Sequence, residues 1–330
     1  MTTGAAPRQL NMVEAIREAL LEEMGRDPTV VLLGQDVGAK GGVFKASEGL
    51  QERFGPLRVL DTPVAEIAIA GMAIGAAMAG LRPVAEFQFA DYMHPAFDQI
   101  VSQAATMRWR SVGRWGVPAV FRAPFGAVNG GGIYHTQSPE APYCHIPGLK
   151  VVAPATPSDA KGLLVAAIRD DDPVVFFEHK FNYRTLREAL RNEAIPIGKA
   201  RLDRAGRDLS VVTYAGGVHL ARSAAGRLAE EGVEVEILDL RTLLPLDREA
   251  IAATVQRTGR LLVLHEANKT MGVGAEVAAF AVEELFWDLD APVMRVAGAD
   301  SWPSYNQVEQ DATRPSADWV VEAARRLVRA

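Results

Sequence analysis

Apolar runs and helical stripes alternate twice along this chain, and that alternation limits the possible folds more than any single motif does. Asn11 to Met24 places Met12, Ala15, Ile16, Ala19 and Leu20 at helical spacing, and the β-branched run Thr29 to Leu33 follows it. Short strands are then expected over Arg58 to Asp61, Pro83 to Phe89 and Val117 to Arg122, with a long helix over His94 to Arg110. Thr156-Pro157-Ser158-Asp159 caps a helix that runs to Arg169, and Pro173 to Glu178 is a nearly unbroken apolar strand. Strands apolar on both faces belong in a parallel sheet covered by helices. Charged residues with Pro196 and Gly198 interrupt the pattern between Asn182 and Lys199. A second cycle follows, with strands at Leu209 to Tyr214, Val233 to Leu238, Arg260 to Leu264 and Pro292 to Val296, and helices at Val218 to Glu231 and Val273 to Leu285. The expected architecture is two parallel-sheet α/β domains, 1–185 and 201–330, joined by a linker over 186–200.

Within the first cycle, Asp61-Thr62-Pro63-Val64-Ala65-Glu66 leads into an almost wholly apolar helix ending near Leu81. Thr62 is a good N-cap and Pro63 suits the first helical position, which puts Glu66 in the first turn. Gly71, Gly75 and Ala79 recur every fourth residue, a stripe that lets another backbone approach closely. A carboxylate beside such a contact is pulled both ways, because the helix dipole favours its ionised form and burial its protonated form. Plain dipole compensation at the surface is the competing reading, so Glu66 needs support from elsewhere.

Composition removes several classes of function. The chain has 330 residues, a net charge of −6 and no basic run, so neither nucleic acid nor an anionic membrane is an expected partner. The single cysteine, Cys144, allows no internal disulfide and fits a reducing cytoplasm. Met1 to Gln9 reads as a frayed tail.

Two further stretches carry chemistry. Glu86-Phe87-Gln88-Phe89-Ala90-Asp91-Tyr92 leaves the carboxyl end of an expected strand, where open parallel sheets hold ligands. There the Gln88 amide and the flat Tyr92 ring suit a heteroaromatic ligand, or simply pack on the next helix. Gly126 to Gly132 is a glycine-rich loop lacking the Lys and Ser/Thr of a phosphate loop, and His135 follows it. His135 is either a general acid or base or a hydrogen-bonded structural residue. His145 and Cys144 have no partner at metal-ligand spacing and read as structural.

Those stretches, together with Gly34-Gln35-Asp36-Val37, Phe97-Asp98-Gln99-Ile100-Val101, Tyr134 to Ala141, Pro147-Gly148-Leu149-Lys150 and Leu238-Asp239-Leu240-Arg241-Thr242, carry a resemblance. The chain resembles the β subunits of thiamine-diphosphate-dependent 2-oxoacid dehydrogenases, within the transketolase-like superfamily. Gln88 to Tyr92 and His135 to Ala141 are more similar to the branched-chain (2-oxoisovalerate) enzymes than to the pyruvate enzymes. The resemblance implies a transketolase-like pyrimidine-binding domain followed by a transketolase C-terminal-like domain.

By the same resemblance, Glu66 hydrogen-bonds N1′ of the cofactor's aminopyrimidine, while Val64 (through its backbone), Gln88 and Tyr92 line that ring. His135 assists acyl transfer to a lipoyl arm on a separate acyltransferase core. Relatives bind magnesium and the diphosphate through Gly-Asp-Gly, which this sequence lacks. The resemblance therefore implies half a site, completed by a magnesium-bearing α subunit in an α2β2 heterotetramer, with the small-residue stripe as part of a subunit contact. Asp170 and Asp172 match positions near a monovalent-cation site, such as one for potassium. Two alternatives stand beside this reading: a pyruvate or acetoin dehydrogenase β subunit, and a non-catalytic assembly module that docks the acyltransferase core.

Overall fold

A computed structural model describes residues 8–128, 130–191 and 193–330. The tail expected over Met1 to Gln9 lies outside the described residues as far as residue 7; Gln9 itself pairs, with Leu10, antiparallel to Glu188–Ala189.

The first sheet has seven strands in the spatial order Thr242–Leu244, Lys150–Val152, Val174–His179, Val120–Phe125, Arg82–Glu86, Val30–Gly34, Val59–Asp61. Its pairings are parallel except at one edge, where Thr242–Leu244 runs antiparallel to Lys150–Val152. That edge strand comes from the second half of the chain and ties the two sheets together. The second sheet orders Met294–Gly298, Leu261–Asn268, Leu209–Thr213, Val235–Asp239 and Arg201–Arg204, again parallel apart from one edge strand. Both sheets follow the alternation, since central strands such as Val120–Phe125 and Leu209–Thr213 are buried along their whole length.

One core cluster joins the sheets: Phe125, Tyr143 and Phe177 of the first pack with Val212, Tyr214 and Val263 of the second. The stretch expected as a linker is not bare chain. Asn182–Thr185 is a helical turn, and Ile195 and Ile197 pack on the core of the first sheet.

The sequence expectation fails at two helices. The helix expected from Thr62 begins at Glu66 with Ala65 as its N-cap, and it ends at Met78. Thr62 is still extended there, because its N–H bonds Gly34 O at 3.0 Å as a continuation of the strand pairing. The single helix expected over His94 to Arg110 is a π-helical stretch at Gln99–Ala104 and a short α-turn at Met107–Arg110, with a 3-10 turn at Ala90–Met93 just before the expected start. Helical periodicity does not distinguish these forms, and π turns commonly accompany functional sites.

Candidate active site

Open parallel sheets hold ligands at the carboxyl ends of their strands. Asp36 follows Val30–Gly34, Glu66 follows Val59–Asp61, Gln88 follows Arg82–Glu86, and His135 follows Val120–Phe125, so four crossovers deliver four side chains to one edge of the first sheet. Gln88 Nε2 donates to Asp36 Oδ2 at 3.1 Å. Glu66 is half-buried and makes no hydrogen bond or ion pair with the described residues. It lies near enough to Tyr92 that burial, then the carboxylates of Asp91 and Glu66, raise the Tyr92 phenol above its usual value. Val64, two residues before Glu66, is 71% exposed, so the chain's own packing leaves it open to a ligand.

Tyr92 and His135 form a pair that sequence spacing gave no reason to expect. Tyr92 Oη lies 2.8 Å from His135 Nε2, and His135 Nδ1 lies 3.3 Å from Gly131 O. A carbonyl can only accept, so Nδ1 carries the proton and Nε2 accepts from Tyr92. Phe89 packs edge-on against both rings, 4.6 Å from His135 and 5.6 Å from Tyr92 between centroids, and Phe44 adds a further edge contact at 5.6 Å.

The loop carrying His135 is closed at its neck. Gly126 N–H donates to Gln137 O at 3.0 Å, and Gln137 N–H donates to Asp91 Oδ1 at 3.1 Å. Gly132 sits at φ +58°, where a Cβ would strike the Tyr305 ring, so this glycine admits an aromatic side chain from the second domain. Glu266, also from the second domain, accepts from Ala127 N–H at 2.5 Å and Ser138 Oγ at 3.3 Å, and its other oxygen lies 3.2 Å from His179 Nε2.

Beneath the site, Arg122 is buried between two carboxylates. It donates to Glu178 through Nε and Nη2 at 2.7 and 2.8 Å and to Glu86 through Nη1, and Tyr183 Oη donates to Glu178 at 2.6 Å. Burial works against the guanidinium, but Glu178 and Glu86 hold it charged. Lys180 is the opposite case. It lies 5.5 Å over the Phe89 ring with its Nζ buried and without a hydrogen-bond partner among the described residues, and burial lowers its pKa to about 8.

Two expectations need correction. The Gly71, Gly75, Ala79 stripe makes no tight contact in this chain: a Cβ at Gly75 would meet open space, and one at Gly71 would only reach Gln99 at 3.8 Å. Asp170 and Asp172, expected near a monovalent cation, are paired with the chain's own cations: Lys150 Nζ lies 2.7 Å from both oxygens of Asp170 and Arg108 Nε lies 2.5 Å from Asp172. A monovalent ion there must displace an ammonium, and among the described residues no cluster of three or more His, Cys, Asp or Glu could hold a metal. A cavity of about 790 Å³ between the two domains touches Thr136 and Gln137, but none of Glu66, Gln88, Tyr92 or His135 lines it. Those four lie outside that cavity, at the carboxyl ends of the first sheet's strands.

Sequence reasoning missed Arg122, Lys180, Glu266 and Tyr305. Arg122 alone had a signal, a charge inside an otherwise apolar strand. Tyr305 and Glu266 had none, since their partners lie far away along the chain.

Comparison with known proteins identifies the two domains. Residues 8–185 match the transketolase pyrimidine-binding domain, and residues 198–320 match the transketolase C-terminal domain. The chain is 52% identical over 293 residues to the 2-oxoisovalerate dehydrogenase subunit beta of Bacillus subtilis (strain 168), covering 88% of this chain and 90% of that one. It is 44% identical over 326 residues to the pyruvate dehydrogenase E1 component subunit beta of the same organism, covering 97% and 99%. Among solved structures, a split gene transketolase described as an inactive beta4 tetramer superposes with a TM-score of 0.80 at 22% identity, covering 97% and 99%, which speaks for the fold alone. Two transketolase-type domains in this order, and relatives that match nearly end to end, place the chain in the family of β subunits of thiamine-diphosphate-dependent 2-oxoacid dehydrogenases.

Proposed function

We propose that this chain is the β subunit of a branched-chain 2-oxoacid dehydrogenase. In this reading it works in an α2β2 heterotetramer, in the cytoplasm, and passes the acyl group to the lipoyl arm of a separate acyltransferase core. The observation that carries the reading is Glu66: a half-buried carboxylate without a polar partner among the described residues, beside Tyr92, at the edge where Gln88 and His135 also arrive.

These residues fit the aminopyrimidine end of thiamine diphosphate. An unpartnered carboxylate can share a proton with a ring nitrogen, the Gln88 amide can meet a ring substituent, and Tyr92 presents an aromatic edge. The diphosphate end has no counterpart here, since Gly-Asp-Gly is absent from the sequence, so that end and its magnesium fall to the α subunit. When bound, the cofactor supplies the carbanion chemistry that a 2-oxoacid needs to lose carbon dioxide. Glu66 holds and returns a proton at N1′ of that ring. Phe44 and Phe89 exclude water from the ring's side of the site, and Tyr92 fixes His135 in the tautomer that can accept a proton at Nε2. His135 would then serve the acyl-transfer step, in which the lipoyl disulfide opens, one sulfur takes the acyl group and the sulfur that leaves must gain a proton. A potassium ion at Asp170 and Asp172 belongs to the proposal only as a competitor of Lys150.

The branched-chain assignment rests on the residues at Gln88 to Tyr92 and His135 to Ala141 and on the 52% relative. Pyruvate is the second reading, favoured by the pyruvate dehydrogenase relative that spans 97% of the chain. Co-expression with the α partner and a thiamine-diphosphate-dependent decarboxylation assay separates them. Faster turnover of 3-methyl-2-oxobutanoate than of pyruvate is expected, and the reverse ranking would overturn the substrate assignment. Full activity after both Glu66→Ala and His135→Ala would instead mark the chain as an assembly module.

A further inference from the structure

In the loop that carries His135, hydrogen bonds tie residues 135, 136 and 137 each to the residue four before it and brace that segment. His135 Nδ1 bonds Gly131 O, Thr136 Oγ1 donates to Gly132 O at 2.5 Å, and Gln137 Nε2 donates to Ile133 O at 2.6 Å. A loop so braced is aimed by whatever grips its neck. One Glu266 oxygen grips both sides of that neck, at Ala127 N–H and Ser138 Oγ. The other oxygen meets His179 Nε2, and that ring is wedged where a Cβ at either Gly126 or Gly216 would collide with it.

We propose that Glu266 is a positioning residue for acyl transfer: from the second domain it aims the loop that presents His135, without touching substrate or cofactor. The proposal rests on the role given above to His135. Burial would raise the Glu266 carboxyl, but His179 and the Ala127 N–H bring it down to about 2, so the clamp keeps its charge throughout the working pH range. Hydrogen bonds to an ionised acceptor are roughly twice as strong as neutral ones, which suits a side chain that reinforces the Gly126–Gln137 backbone bond already closing the neck. The consequence is that the second domain sets the placement of a residue in the first.

The test uses the reconstituted heterotetramer and two assays. One follows decarboxylation with an artificial electron acceptor, and the other follows acyl transfer to a lipoyl domain. Glu266→Ala is expected to slow acyl transfer about tenfold, in the range that small misplacements cost, with decarboxylation within about twofold of the parent. In a His135→Ala background the same change should cost less than about twofold, because residues acting as a unit are not additive. Hydrogen exchange at the amides of 126–138 in the full complex should rise in Glu266→Ala and stay at parental levels elsewhere in the first domain. Multiplicative losses in the double variant, equal losses in both assays, or unchanged exchange in the loop would each overturn the proposal.

If Glu266→Ala does not assemble, Ser138→Ala removes the longer of the two neck bonds and should show the same pattern at about two- to threefold. An unmodified complex that decarboxylates no 2-oxoacid would refute the proposed function. The exchange measurement would still decide the role of Glu266.

Discussion

Two helices of the first domain, each thirteen residues long, have opposite fates. Pro157–Arg169 carries Ser158, Asp159 and Lys161, yet it buries nearly its whole length; Lys161 Nζ is taken up by Glu18 and Glu22 at 2.9 and 2.8 Å. Glu66–Met78 has no charge after Glu66, yet only Ile69, Ala70, Ala73, Ile74 and Ala77 are buried, and Ile67, Met72 and Met78 face outward. The more polar helix is the more covered one. Exposed apolar side chains of this kind commonly mark contact surfaces, and in the proposed heterotetramer the face that Glu66 opens would meet the α subunit.

The same contrast holds between two glutamates in first helical turns. Glu140 opens the short helix Glu140–Cys144 and is fully buried; Tyr214 Oη donates to it at 2.5 Å, and burial raises its pKa to about 7. Glu66 has no such partner among the described residues, which is what the proposed cofactor contact requires of it.

The largest expected effect breaks this contrast at Glu66. Glu66→Ala should lower decarboxylation by the reconstituted enzyme about 10³-fold or more, near 4 kcal/mol in barrier, with the melting temperature of the β chain unmoved. Steady-state rates and calorimetry check it, and a loss of only a few fold would reduce Glu66 to dipole compensation.

Next comes Glu140. Burial raises its folded pKa from the usual 4.5 of a glutamate to about 7, so between those values the folded state binds more protons than the unfolded one, and stability falls as pH rises through that window. The decline is bounded at about 3 kcal/mol and is complete above about pH 7. Denaturant titrations from pH 4 to 8 should show this component vanish in Glu140→Gln; an unchanged slope would mean other groups supply it.

Smaller still is the outward face of the Glu66 helix. Met72→Asp should weaken assembly with the α partner about 10- to 100-fold, or 1.4 to 2.8 kcal/mol, while the isolated chain keeps its fold. Sedimentation or titration calorimetry would detect it, and unchanged affinity would show that this face is not the contact.

The smallest effect separates the two helix starts. Thr156 Oγ1 accepts from Asp159 N–H and donates to Asp159 Oδ2, so Thr156→Ala should cost about 1 kcal/mol. Thr62 Oγ1 is buried with no partner among the described residues, so Thr62→Ala should be neutral or slightly stabilising. Equal costs would restore Thr62 as a cap.

The fold was largely legible because burial on both faces writes itself into a strand as an unbroken apolar run. Val174–His179 and Leu209–Thr213 could be found without coordinates for that reason. Helix ends were less legible. Thr62-Pro63 has the composition of a helix start, but pairing with Gly34 keeps it extended, a tertiary override of local preference. The π-helical turn at Gln99–Ala104 left no mark in the apolar spacing.

By itself, the sequence determined that two parallel-sheet layers would form, and that Glu66, Gln88 and His135 would leave strand ends, because periodicity and strand polarity are local properties. The tertiary structure alone decided which residues meet. Tyr92 finds His135 across 43 positions and Glu266 finds Ala127 across 139, because crossovers bring strand ends together without regard to their distance along the chain. No local pattern encodes such a meeting. A carboxylate from one domain therefore closes the loop of another without announcing itself in the sequence.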